Sequence, residues 1–239
     1  MDTEVTVALV HGAYADSSSW NGVVERLLAE GIPMRAVVNP LRGIALDAAY
    51  VAGAFGQIPG RVLAVGHSYG GAVITNAASR AENVAGLVYV AAFAPDDGET
   101  LQEIESGSQD SVLLPKLRPS HYPIGTGPET ADELWIDPAA FHEAFAADLS
   151  EQQSAVLAAT QRPIAVAGFT EKTADPAWKK LPSWAVVPTE DHAAGSDVLL
   201  SMAKRAGAEI TETPGSHVIM MSRPEIVVDT IKRALHAVA

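Results

Sequence analysis

Leu63-Ala64-Val65-Gly66-His67-Ser68-Tyr69-Gly70-Gly71-Ala72-Val73-Ile74 is the stretch on which the fold turns. A β-branched apolar run leads in and a helix-forming run leads out. Between them, Gly66, Ser68 and Gly70 make a G-x-S-x-G spacing. A serine on a tight strand-to-helix turn exposes its Oγ, and flanking glycines admit backbone where a Cβ would clash. The helix that follows points its N-terminal N–H groups at any negative charge developing there. Glycine-serine loops are common, so the spacing gains its meaning from the strand before it and the helix after it. No G-x-G-x-x-G fingerprint and no Walker-type lysine favours a nucleotide site instead.

Working outward, short buried-type strands are expected at Val5–Val10, Arg35–Val38, Val62–Val65 and Leu87–Ala91. Helices are expected between them, at Trp20–Glu30, Asp47–Phe55 and Ala72–Ala81. This alternation predicts an α/β fold, a mostly parallel sheet covered by helices on both faces. The rhythm stops at Pro95. Residues 95–182 are rich in proline and acidic clusters, with amphipathic pieces at Ala139–Leu149 and Glu151–Thr160. It resumes with strands at Ser183–Val187 and Glu209–Thr213 and helices at Val198–Ala206 and Arg223–Ala237. The expected organisation is one sheet domain of about six strands, residues 1–94 and 183–239, interrupted by a mostly helical cap at 95–182.

A serine nucleophile needs a base, an acid to orient the base, and donors for the oxyanion. The chain order nucleophile, acid, histidine points to a late histidine in a loop after the last strand. Among seven histidines, His217 in Pro214-Gly215-Ser216-His217 has that place. The acid should follow the preceding strand, and Thr189-Glu190-Asp191 puts Asp191 there. Glu190 and the pair Asp96 and Asp97 are its rivals. Two convergent N–H donors complete the site, one from Tyr69 and one from Ala13 in the His11-Gly12-Ala13-Tyr14 loop after the first strand.

Composition narrows the partners. With 16 Lys+Arg against 29 Asp+Glu, the net charge of −13 repels a phosphate backbone, so no nucleic-acid partner is expected. The absence of cysteine removes disulfides, thiolate metal sites and a cysteine nucleophile. The start, Met1-Asp2-Thr3-Glu4, lacks a basic signal region, and no apolar run approaches the ~18 residues of a membrane span. A cytoplasmic protein without membrane contact is the expectation.

Taken together, His11-Gly12-Ala13, Gly66-His67-Ser68-Tyr69-Gly70-Gly71, Thr189-Glu190-Asp191 and Gly215-Ser216-His217 resemble the α/β-hydrolase superfamily over nearly the whole chain. Asn39-Pro40-Leu41-Arg42-Gly43 and Thr160-Gln161-Arg162-Pro163 are similar to segments of small bacterial esterase-like relatives of plant methylesterases and hydroxynitrile lyases. The resemblance implies a sheet core under a helical cap, and no cofactor or metal. Hydroxynitrile lyases of this group carry threonine where Gly12 stands and lysine where Val218 follows the histidine. Dehalogenases and epoxide hydrolases of the superfamily use an aspartate nucleophile, against which Ser68 speaks.

The expected chemistry is hydrolysis of small to medium hydrophobic carboxylic esters through an acyl-enzyme on Ser68, with activity falling at acid pH as His217 protonates. Tyr14, His121, Trp135, Phe141 and Phe145, with the ring of Tyr69, are candidates to line the substrate pocket. A carbonyl lyase using the same triad, a receptor-like binder with negligible turnover and a cofactor-free oxygenase are the alternatives. A small-molecule ester is the expected partner, with a homodimer left open.

Overall fold

The computed structural model describes residues 5–239. The acidic start, residues 1–4, and what its composition suggested lie outside the described residues. Nine strands run in chain order: β1 (Val5–Val10), β2 (Met34–Val37), β3 (Arg61–His67), β4 (Val84–Val90), β5 (Leu117–Pro123), β6 (Thr130–Ile136), β7 (Ile164–Ala165), β8 (Ser183–Pro188) and β9 (Glu209–Thr213). The helices that flank the main sheet are α1 (Asn21–Ala29), α2 (Ile44–Gly56) and α3 (Tyr69–Ala77). Between β4 and β8 lie α4 (Leu101–Ser106), α5 (Phe141–Phe145), α6 (Glu151–Thr160) and α7 (Ala167–Thr170). The chain closes with α8 (Ser196–Arg205), α9 (Ile219–Ser222) and α10 (Pro224–Val238).

Six strands form one sheet in the order β2-β1-β3-β4-β8-β9, every pairing parallel. The central strands are apolar on both faces because helices cover both. Val7 to Val10 and Val62 to Val65 are fully buried, each large side chain contributing roughly 1.5–3 kcal/mol relative to exposure. The closing helix shows how the pattern sets the packing. Pro224 opens α10 at a position that needs no N–H donor, and Val227, Ile231, Ala234 and Val238 fall on one buried face. The chain leaves β1 toward β2 on one side and later enters β3 on the other. The carboxyl ends of β1 and β3 therefore flank the point where strand order reverses, the usual crevice of such sheets.

The segment between β4 and β8 departs from the mostly helical expectation. Alongside its helices it carries a three-stranded antiparallel sheet, β5-β6-β7. Pro119 and Pro123 make β5 read as loop, yet β5 is an edge strand, where a missing N–H donor is tolerated. Glu151–Thr160 forms as expected, held by a reciprocal capping box between Ser150 and Gln153.

Candidate active site

The G-x-S-x-G turn joins β3 to α3. Ser68 sits at φ 52° and ψ −124°, a left-handed conformation that costs roughly 1–3 kcal/mol. The surroundings hold it there: Ser68 N–H donates to the Val90 carbonyl at 3.3 Å, and its own carbonyl accepts from Gly71 and Phe93 at 2.9 and 3.2 Å. The glycines serve close approach. A Cβ on Gly66 would stand 2.6 Å from the Gly70 carbonyl oxygen, and one on Gly70 would stand 2.5 Å from that of Val10. Gly12 packs against the same bend, with room of only 2.7 Å to the Ser68 Cβ. Both sequence motifs are thus one contact surface between two adjacent strand ends.

His217 comes from the loop after β9 and Asp191 from the loop after β8, so three strand ends converge. Ser68 Oγ donates to His217 Nε2 at 2.7 Å, and His217 Nδ1 donates to Asp191 Oδ2 at 2.7 Å. Asp191 is fully buried, and its other oxygen accepts from the Ala193 and Ala194 N–H groups at 2.9 and 3.0 Å. The rivals for the acid lie elsewhere. Glu190 is exposed, Asp96 pairs with Lys179, and Asp97 accepts from the Asp175 N–H at 3.2 Å. Among the described residues, the Ala13 and Tyr69 N–H groups donate to no protein acceptor.

Two neighbouring histidines, not singled out for any role by spacing, hold this frame. His67 is buried and donates from Nε2 to the His217 carbonyl at 3.0 Å, tying the His217 backbone to the strand that carries the serine. Burial, reinforced by His217 nearby, keeps its imidazole far below the usual histidine range, so it stays neutral. His11 accepts the Asn39 N–H at Nε2 (3.1 Å), leaving Nδ1–H for the Gly12 carbonyl at 2.9 Å. Burial lowers its pKa to about 4. Tyr14 N–H donates to the Arg162 carbonyl at 3.1 Å, which fixes the Ala13 loop from the side of the β4–β8 segment. Asp47, also unforeseen, accepts from the Arg42 N–H and from the Tyr69 hydroxyl, the latter at 2.7 Å.

Above Ser68 lies a small cavity, about 10 Å³ for the centre of a water-sized sphere, room for roughly one water. Phe93, Leu113, Phe145 and Phe169 make most of its apolar wall. Of the expected lining residues, Tyr14, Tyr69 and Phe145 reach it, and the Phe145 ring lies 4.9 Å from that of His217. Phe141 stands behind Phe145, ring to ring at 5.0 Å, and is a support. His121 and Trp135 do not reach the cavity. His121 is exposed and pairs with Asp132 at 2.7 Å, its cross-strand partner in β6. Trp135 donates to Ser120 Oγ at 2.7 Å. Phe93, Leu113, Phe169 and Glu105 are wall residues that the sequence did not single out.

A parallel sheet carrying a hydrogen-bonded serine, histidine and aspartate on three strand ends defines the class of α/β hydrolases. The chain belongs to the alpha/beta hydrolase family, whose model matches residues 7–230. It is similar to a carbendazim hydrolyzing esterase of Nocardioides sp. (strain SG-4G), 46% identical over 59 residues. That match spans 24% of this chain and 21% of the esterase's length. Among solved structures it superposes on polyneuridine aldehyde esterase with a TM-score of 0.80 at 17% identity, covering 97% of this chain and 99% of the other. A pyrethroid hydrolase from Sphingobium faniae JZ-2 gives 0.79 at 20% identity, with 98% of each chain covered. Tomato methylketone synthase I gives 0.79 at 17%, with 99% of each covered. At such identities these likenesses speak for the fold, and that fold serves more than one chemistry.

Proposed function

We propose that this protein is a serine esterase that cleaves small to medium, largely hydrophobic carboxylic esters through an acyl-enzyme on Ser68. The observation that carries the reading is the unbroken hydrogen-bond chain from Ser68 Oγ through His217 to Asp191, opening into an apolar cavity beside two unspent N–H groups. His217 Nε2 takes the serine proton as Oγ attacks the ester carbonyl. The N–H groups of Ala13 and Tyr69 hold the oxyanion, each worth about 3 kcal/mol in the barrier. His217 then returns the proton to the departing alcohol, and a water repeats the sequence on the acyl-enzyme. Asp191 fixes the tautomer and balances the imidazolium.

Hydrolysis is favoured over a lyase reaction because, among the described residues, no lysine or arginine lines the cavity and Val218 follows the histidine. A small anionic leaving group has no countercharge there. The small volume of the cavity requires its wall to move to admit an ester, and the Phe93, Phe145 and Phe169 side chains set an apolar preference. The test is a fluorophosphonate serine probe with peptide mapping, followed by p-nitrophenyl esters of increasing chain length. Labelling at Ser68 with turnover is expected. Labelling elsewhere, or labelling at Ser68 without turnover of any ester, would replace the esterase by another serine protein or by a binder. Cyanide release from an aromatic cyanohydrin would restore the lyase.

A further inference from the structure

The cavity holds two polar side chains that the acyl-transfer chemistry does not use. Glu105, from α4, and Tyr14, from the loop after β1, both line it, and each is only 3% exposed. Glu105 Oε2 and the Tyr14 hydroxyl have no hydrogen-bond partner. Leaving such groups buried and unpaired costs about 1–3 kcal/mol apiece, so their retention beside the reacting centre calls for a partner that arrives with the ligand. The Ser111 hydroxyl does not supply it. Ser111 Oγ lies 3.4 Å from Oε1 and donates at 2.6 Å to the Ala193 carbonyl instead.

The charge state of Glu105 follows from its surroundings. Burial pushes its carboxyl up to about 8, opposed in part by the Ser111 hydroxyl and aided to a lesser degree by the nearby Asp191 charge. Among the described residues no cationic side chain lines the cavity to hold it ionised. Near neutral pH it is a carboxylic acid, presenting one O–H donor beside one carbonyl acceptor. The Tyr14 phenol, which burial and then Glu105 hold well above the usual range, stays a hydroxyl donor. A donor and an acceptor side by side in an otherwise apolar wall match an amide edge, whose C=O and N–H answer both. An ammonium group would need the carboxyl to ionise close to Asp191.

Building on the esterase reading, we propose that Glu105 and Tyr14 form a specificity subsite that hydrogen-bonds an amide-type group of the substrate, so that esters carrying a neutral N–H/C=O unit are preferred over hydrocarbon esters of the same length. Two matched pairs test it on the two sides of the scissile bond. They are p-nitrophenyl N-acetylglycinate against p-nitrophenyl pentanoate, and 2-acetamidoethyl acetate against pentyl acetate. The readout is the kcat/KM ratio within a pair for each variant, corrected for spontaneous hydrolysis, which cancels any loss common to both esters. The expectation is that the wild type prefers the amide member of at least one pair by about 10–100-fold. Glu105→Leu should bring that ratio near one, Tyr14→Phe should reduce it, and Glu105→Gln, which keeps a donor and an acceptor, should retain most of it.

Equal ratios in the wild type, or a ratio unmoved by Glu105→Leu, would overturn the subsite and leave the pair a structural feature. Preferential turnover of acetylcholine over both amide esters would overturn the neutral-acid reading. A binding arm separates this from a failure of the esterase reading itself. N-benzylacetamide should bind the wild type about 10-fold more tightly than 4-phenyl-2-butanone by calorimetry, and Glu105→Leu should erase the difference. That outcome stands or falls whether or not Ser68 turns over an ester.

Discussion

The polar atoms of the cavity divide into two sets. At the strand ends the side chains are engaged: Ser68 Oγ with His217, His217 with Asp191, and Asp191 with two backbone N–H groups besides. On the cavity wall formed by α4 and the loop after β1, Glu105 Oε2 and the Tyr14 hydroxyl have no partner among the described residues. The difference teaches where each property is built. The groups proposed to react sit on strand ends that the core holds rigid and are organised before any ligand arrives. The groups proposed for recognition sit on a short helix and a loop, and on that reading are completed by what binds.

The sharpest break in the engaged set is Ser68→Ala. It should lower kcat/KM for p-nitrophenyl butyrate by about 10⁴–10⁶-fold while the thermal transition stays in place. A variant keeping a tenth of the rate would show that the proton chain is not the reacting centre. Asp191→Asn comes next, with an expected loss of about 10³–10⁴-fold. Its carbonyl oxygen can still accept from Ala193 and Ala194, but its amide turns a donor toward His217 Nδ1 and selects the wrong tautomer. Neutron or NMR detection of the imidazole proton on Nδ1 in an active Asn variant would contradict that account.

The third prediction concerns how the engaged set is held. A methyl on Gly70 would meet the Val10 carbonyl oxygen at 2.5 Å and that of His11 at 2.8 Å, both backbone atoms of a central strand end. Gly70→Ala should therefore cost about 2–4 kcal/mol in urea unfolding, with activity lost beyond what the lower stability explains. Gly53→Ala is the control, since nothing lies within 4 Å of its Cβ direction and helix propensity favours the change. Equal effects at the two positions would detach the motif from the geometry.

The same division explains what could be read in the residues beforehand. Ser68, His217 and Asp191 stand where a strand ends, and strand ends are local: an apolar run stops and glycine, proline or polar residues begin. The two N–H donors follow from the same turns. The cavity wall is different, because it depends on how the segment between β4 and β8 folds back over the sheet. His121 and Trp135 have the right chemistry for a pocket but lie on opposite faces of an antiparallel pair outside the cavity lining, and prolines in β5 hide that pair. Glu105 is disguised by company, one of two glutamates in Leu101-Gln102-Glu103-Ile104-Glu105-Ser106. Glu103 serves the helix cap, as expected of an acid in a first turn. A signal for Glu105 did exist in its spacing. Four residues beyond the buried Leu101, it falls on the inward face of α4.

The unpartnered set makes its own mark on stability, and the sign follows from linkage. In the unfolded chain Glu105 ionises around its ordinary 4.5, whereas in the folded cavity it keeps its proton until about 8. Between those values the native state binds more protons than the unfolded state, so stability falls as pH rises, by at most ~1.4 kcal/mol per pH unit. The contribution is fully present below 4.5 and lost by the time pH has passed 8. Among the described residues, the groups facing this carboxyl are the Asp191 carboxylate, the Tyr14 phenol and the Ser111 hydroxyl, and a cation is not one of them. Glu105→Gln cannot titrate, so urea unfolding of this variant at pH 5, 6.5 and 8 should show a flatter profile than the wild type, the gap widening toward pH 8. Parallel profiles would mean that the folded cavity already solvates an ionised Glu105. The recognition groups would then be engaged before ligand arrives, and the contrast between the two sets would vanish.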